Sequence, residues 1–408
     1  MQALEDFADT GPMQVVAPAS TEPQHLPIRF TGSGSEYFRI WIVNLLLTLV
    51  TLTLYWPFAR ARRMAYFQNN TLIGDDPLGF HADPWKMFRG YLVVMVLGVA
   101  YWAITNFLPS IGWMALVLVA ALWPLLWRAS LQFRLRNTSW RGVRLDFVGD
   151  TRGAYFALLP FFAPALVLVL LVPQGVDDAA PAPAAARGAA MVAGLVTLVF
   201  AVATPWLLLR LKRYQHGGYA FTQERTGLQV RTGSFYALYA KAAGVTMACV
   251  LLVLALMSAL FFVVMGMGQR EALESLSRPG AAAGGVVAVL VGGLALLYLL
   301  VPLVTLPYFT ARFQNLLWSG TRSKHLLFQS RLRFRDLLRV NVVNWVLIIL
   351  TLGLFWPFAK VRATRVRLQA MAVQVDGNVN DWLARAQASG RGVLGDAVGD
   401  FLGIDMGL

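Results

Sequence analysis

The sequence predicts an all-α polytopic membrane protein: six to eight transmembrane helices from an internally duplicated unit, with small cytoplasmic β-hairpins in basic loops. Three observations predict it. Long apolar segments lack ionisable side chains, one segment recurs 300 residues later, and arginines crowd into alternate loops.

The apolar segments come first. Of 408 residues, 57% are hydrophobic and 14% charged, whereas soluble domains carry about 25% charged residues. Eight blocks stand near 40–58, 90–109, 111–127, 154–173, 189–209, 243–267, 281–309 and 340–358, and none contains Asp, Glu, Lys, Arg or His. About 20 such residues cross a hydrocarbon core of about 30 Å. Buried helices of a soluble protein are usually shorter and sit among amphipathic ones. Residues 1–27 read as a disordered tail without the basic and apolar regions of a signal peptide, 28–372 as the membrane domain, and 373–408 as a cytoplasmic tail.

The repeat comes next. VNLLLTLVTLTLYWPFARAR at 43–62 and VNWVLIILTLGLFWPFAKVR at 343–362 share 11 of 20 positions without a gap. Its signature is Trp56, Pro57, Phe58 and Arg62 against Trp356, Pro357, Phe358 and Arg362. A fainter form ends other blocks. Pro205 and Pro307 are followed five residues later by Arg210 and Arg312, and Pro124 four residues later by Arg128. Proline breaks the helix ladder, and arginine reaches back to headgroups. A second pattern precedes blocks: Phe30-x-Gly32 with Tyr37, Phe147-x-Gly149 with Tyr155, and looser forms with Tyr91 and Tyr236. Between the two patterns, alternation at 138–148 and 219–232 reads as β-hairpins.

Charge sets the topology. The formal net charge is +14, from 35 Lys and Arg against 21 Asp and Glu. Basic residues fill loops 58–89, 128–153, 210–242 and 310–339 and follow the last block. That pattern is cytoplasmic by the positive-inside rule. It favours anionic lipid headgroups as partners and gives no separate basic domain for nucleic acid. The last block has basic flanks on both sides, which a plain crossing does not allow. Segments 40–58 and 340–358 are therefore expected to re-enter, leaving six full spans, with eight plain spans as the rival.

Catalytic chemistry finds no footing. His25, His81, His216 and His325 read as solvated loop residues without metal-ligand spacing, and Asp75, Asp76 and Asp83 read as turn residues. No cofactor, metal or catalytic set is expected, and the chain reads as a non-enzymatic protein binding anionic lipid or a protein partner through its basic face. The alternative is a transporter or channel with a polar path at the repeat interface, past Asn44, Thr51, Asn344 and Thr351.

The strings EYFRIWIVNLLLTLVTLTLYWPFARARR at 36–63, the second copy at 341–362 and GDAVGDFLGIDMGL at 395–408 resemble the YjgN family of bacterial inner-membrane proteins. The resemblance runs from about 28 to 408 and departs mainly after Pro124, in Leu-Leu-Trp-Arg. It implies a multi-pass protein of the Gram-negative cytoplasmic membrane and carries no activity with it.

Overall fold

The computed structural model describes residues 23–171, 183–221, 224–267 and 281–377. The linker around 174–182, the loop holding Arg270 and both outer tails lie outside them.

The chain is five copies of one unit, strand–helix–helix–strand. The first is β1 (Gln24–Phe30), α1 (Gly34–Val50), α2 (Trp56–Asn69) and β2 (Thr71–Ile73). The second is β3 (Asp76–Phe80), α3 (Pro84–Phe107), α4 (Gly112–Arg136) and β4 (Thr138–Trp140). In the third, β5 (Val143–Phe147) leads into α5 (Thr151–Leu158), a 3₁₀ turn at Pro160 and α6 (Ala163–Leu171), then α7 (Pro183–Gly217) and β6 (Tyr219–Phe221). A short strand β7 (Glu224–Arg225) precedes the fourth unit: β8 (Gly227–Leu228), α8 (Thr232–Met267), α9 (Ala281–Ser319) and β9 (Thr321–Arg322). The fifth is β10 (Leu326–Ser330), α10 (Phe334–Leu350), α11 (Trp356–Gln369) and β11 (Met371–Val375).

The strands correct the all-α expectation. The hairpins at 138–148 and 219–225 exist, but all strands join one antiparallel 11-stranded sheet, ordered β7-β6-β5-β4-β3-β2-β1-β11-β10-β9-β8. Its two edges, β7 and β8, are separated in the chain by Thr226 alone, whose N–H donates to Tyr219 O at 2.9 Å. The sheet thus curls into a nearly closed ring. Residues from both halves of the strand order share one core, Ile28, Trp140, Phe221, Leu326, Val373 and Val375, plugged by Trp318 and Leu368 from the helices. β1 pairs with β11 from Gln24↔Val375 to Pro27↔Ala372, so residues 24–27 and 373–375, assigned to tails in the sequence, are strand. The two chain ends close the ring because neither terminal strand alone satisfies its backbone groups.

Every unit leaves the sheet and returns to it, which accounts for the basic flanks on both sides of the last block. Among the described residues, six helical segments are long and apolar enough to cross a membrane: Pro84–Phe107, Gly112–Arg136, Thr151–Leu170, Arg187–Gly217, Thr232–Ala259 and Val291–Ser319. The chain is a multi-pass membrane protein. Segments 40–58 and 340–358 are not continuous helices and are not among these six. Each is a helix–turn–helix hairpin whose leading helix, α1 or α10, has 17 residues, about 25 Å. The backbone hydrogen bonds of the two turns match. Leu52 (φ 47°) and Leu352 (φ 49°) sit in the left-handed region, followed by Thr53 (φ 76°) and Gly353 (φ 92°).

The repeat motifs are the joints between units. The motif prolines of the five returning helices, Pro57, Pro124, Pro205, Pro307 and Pro357, are buried. The tyrosines of the leading helices bond the preceding unit near them: Tyr155 Oη donates to Ala121 O (2.6 Å) and Tyr236 Oη to Val202 O (3.0 Å), each three residues before a proline. In the Phe-x-Gly pairs the ring folds over the glycine: a Cβ would lie 2.8 Å from the Phe30 ring at Gly32 and 2.6 Å from the Phe147 ring at Gly149.

Candidate functional site

The returning helices carry the cations, and their faces divide the work. On one face, an arginine five residues after the proline lies over an aromatic ring: Arg62 over Tyr55 (5.7 Å), Arg210 over Trp206 (5.4 Å), Arg312 over Tyr308 (5.9 Å) and Arg362 over Phe355 (6.0 Å). Among the described residues none of these four makes an ion pair with a carboxylate. A guanidinium over a ring is held in place while its N–H groups stay free for acceptors. Arg128, one residue out of register, does something else: its Nε donates to Gly149 O at 2.7 Å.

That second job recurs eight residues after three of the other prolines, Pro205, Pro307 and Pro357. Arg213 donates to Val230 O (2.7 Å), Asn315 to Leu332 O (2.9 Å) and Arg365 to Gly32 O (2.8 Å). Each clamps the carbonyl just ahead of the next unit's leading helix, and Arg365 closes the ring onto the first unit. Sequence reasoning missed these clamps, although the constant offset from proline was there to read.

On the inner face, neighbouring returning helices meet through a polar collar. Thr138 Oγ1 donates to Gln68 Oε1 (2.9 Å), His216 Nδ1 and Thr321 Oγ1 stand 2.8 Å apart, and Arg367 Nε donates to Gln314 Oε1 (3.0 Å). At the other two junctions like charges repel, Arg134 acting on Lys212 and Arg63 on Lys360. Burial, and then the Arg63 charge, hold the Lys360 ammonium below its ordinary range; burial does the same to Arg367. Burial pushes Tyr219, beside Arg134, up to about 12. His216 is thus a buried collar residue and not a solvated one.

The remaining sequence-selected residues fall into place. Pro57 and Pro357 are buried, while Trp56 and Trp356 are about half exposed at the hairpin shoulders. Phe58 packs on Trp85 and Phe88 of the next leading helix, and Phe358 on Phe38. The four polar candidates are not gathered into a common path. Asn44 Nδ2 donates to Ala59 O (3.3 Å) and Asn344 Nδ2 to Ala359 O (3.1 Å), each across its own hairpin. Thr51 Oγ1 donates to Leu47 O and accepts from Tyr55 N–H; Thr351 does the same with Leu347 and Phe355. Both carboxamide oxygens are buried without a partner. Asp75 and Asp76 pair with Arg29 and Arg141, and Asp83 caps α3.

A family model described as a bacterial protein of unknown function (DUF898) matches residues 25–401. Similar proteins include two called inner membrane protein YjgN. That of Salmonella typhimurium (strain LT2) is 31% identical over 143 residues, 35% of this chain and 36% of the relative. That of Escherichia coli (strain K12) is 26% identical over 141 residues, 34% of this chain and 35% of the relative. The chain thus matches just over a third of the length of either. No solved structure matches.

Proposed function

The chain belongs to the DUF898 family of bacterial proteins of unknown function, and on that premise we propose a non-enzymatic inner-membrane protein that holds anionic phospholipid headgroups at its cytoplasmic face. One observation carries the reading: four arginines at a constant offset from a buried proline, each braced by a ring and each without a carboxylate partner. They stand where apolar segment gives way to polar sheet, the level of phosphates in a bilayer. The positive-inside rule puts the sheet, and with it the basic loops, in the cytoplasm. The two short hairpins then dip from that side and return. Their tips support this: Leu52 is 84% and Leu352 95% exposed within the protein, tolerable in lipid and costly in water.

Near an anionic surface each basic residue contributes about 1 kcal/mol, so the four together favour anionic over neutral lipid strongly. Native mass spectrometry of lipids retained on the protein, from mixed phosphatidylglycerol and phosphatidylethanolamine, tests this. The quadruple change R62Q/R210Q/R312Q/R362Q is expected to abolish enrichment of the anionic lipid, and the four Arg→Lys changes to keep most of it. Enrichment unchanged in the Gln variant would sink the proposal. The transport reading draws less support, since the hydrogen bonds of Asn44, Thr51, Asn344 and Thr351 close within their own hairpins. A protein partner or a second copy on the same face is a further outcome of the experiment.

A further inference from the structure

The helical hairpins do not close alike. In the fourth unit α8 and α9 pack tightly where glycine allows it: a Cβ at Gly293 of α9 would lie 2.7 Å from Met257 Cε of α8. In the second unit a Cβ at Gly98 of α3 would meet nothing within 4 Å. Gly98 stands on the wall of a groove of about 280 Å³ between α3 and α4. Its lining runs from Val94 to Ile104 on one helix and from Ala115 to Leu126 on the other. Tyr101 and Trp123 bring the only polar side-chain atoms of that lining.

The groove's position says what fills it. Both helices are long and apolar enough to span. Counted from Pro84, where α3 leaves the sheet, the groove begins about 15 Å along the helix and runs about 15 Å further. That is the half of a hydrocarbon core of about 30 Å that lies away from the sheet, the depth of one leaflet. Residues 90–127 include no Asp, Glu, Lys, Arg or His, so the wall offers no partner to a charged group. A polar ligand there would leave its hydrogen bonds unmade. A hydrocarbon chain suffers no such loss. In a concave groove it touches protein on several sides at once, whereas the convex face of a lone helix meets it on one, and dispersion attraction sums over those contacts.

We propose that this groove seats one acyl chain of a phospholipid from the leaflet away from the sheet. The contact requires only that α3 and α4 lie in hydrocarbon, whatever the arginines on the sheet side hold. It is blind to headgroup charge, because the wall carries none. The second unit is also the one in which Ala129 stands five residues after the motif proline, where four other units have arginine. Its hold on lipid is through the chain and not the head.

The test uses the full chain in nanodiscs of phosphatidylcholine, part of it carrying a photoactivatable diazirine midway along one acyl chain. Irradiation and peptide mass spectrometry then locate the label. Leu97, Tyr101, Val119 and Leu122 are expected to be labelled well above Leu195, Leu198, Val199 and Val202, which stand exposed on α7. Gly98→Leu places its side chain in open space and is expected to lower labelling of the groove about ten-fold, the loss of roughly two methylenes of contact, with labelling on α7 unchanged. Gly98→Ala is expected to keep most of it. Replacing phosphatidylcholine by phosphatidylglycerol, or introducing R62Q/R210Q/R312Q/R362Q, is expected to leave the groove signal as it was, which separates this site from the headgroup contacts. Labelling no higher in the groove than on α7, or a groove signal that Gly98→Leu does not lower, would overturn the assignment. So would native mass spectrometry showing an isoprenoid, and no phospholipid, released by Gly98→Leu.

Discussion

Replacing Thr351 by valine removes one hydroxyl with almost no change of shape, and its consequence follows from two distances. Thr351 Oγ1 donates to Leu347 O at 2.7 Å and accepts from Phe355 N–H at 3.0 Å. Leu347 O also receives Thr351 N–H at 3.0 Å, so its carbonyl stays satisfied without the hydroxyl, and losing that bond costs about 0.5–1.5 kcal/mol. Phe355 N–H has no such reserve. Orphaned in a buried setting it costs about 1–3 kcal/mol, and lipid offers no water to replace the acceptor. Thr351→Val is therefore expected to destabilise by about 2–4 kcal/mol, while Thr351→Ser keeps both bonds and stays within about 1 kcal/mol of wild type. Thr51, with the same bonds to Leu47 and Tyr55 at 2.7 and 2.9 Å, is expected to match it. The two losses lie in separate hairpins and should add. Their sum is comparable to the whole stability of about 5–15 kcal/mol, so the double variant is expected not to fold. Reversible unfolding in mixed micelles gives the numbers. A Thr351→Val variant within about 0.5 kcal/mol of wild type would mean that water reaches the Phe355 amide, and the hairpin tip would then not lie in hydrocarbon.

Three further outcomes are expected. Gly34→Ala puts a Cβ 2.4 Å from Phe358 Cδ1, an overpacking cost of about 1–3 kcal/mol; the double variant with Phe358→Ala should cost less than the sum of the two single changes, and strict additivity would show that the ring is not the obstacle. Gly353 and Thr53 hold the same left-handed turn position, so Gly353→Thr should lose about 1–2 kcal/mol, whereas Thr53→Gly should be neutral or stabilising; thermal melts of both decide it. Because Lys360 is held below its ordinary value near 10.5 by burial and by Arg63, the unfolded chain holds the extra proton in the window between the two values, and stability contributed by this group rises with pH across it. The same depression exposes more free amine at neutral pH, so Lys360 should outpace surface lysines such as Lys324 in amine labelling followed by mass spectrometry, and Arg63→Gln should slow it; equal rates would contradict the depressed value.

The membrane character of the chain, its repeat and the basic side of its loops were legible in the sequence. Those properties are local: a charge-free run of about 20 residues partitions into lipid wherever it stands, and a proline with an arginine five residues on marks where an apolar run gives way to basic residues, inside a helix at Pro205 and Pro307 and at a helix start at Pro57 and Pro357. The offsets at Pro57, Pro205, Pro307 and Pro357 stood in the sequence, as did the short length of segments 40–58 and 340–358. What the residues did not announce was that five units close into one ring. Strands of two to seven residues carry too little pattern to fix their partners, and Gln24 meets Val375 only because every unit between them has turned through its share of the circle. For the same reason the pairing of His81 with Ser139 was invisible: they stand 58 residues apart, and sheet register between β3 and β4 is what aligns them. Asn44 and Asn344 show the converse. Their polarity suggested a shared path, and only the folded hairpin shows that each carboxamide N–H donates to a carbonyl 15 residues along its own chain, with its oxygen buried and unpartnered.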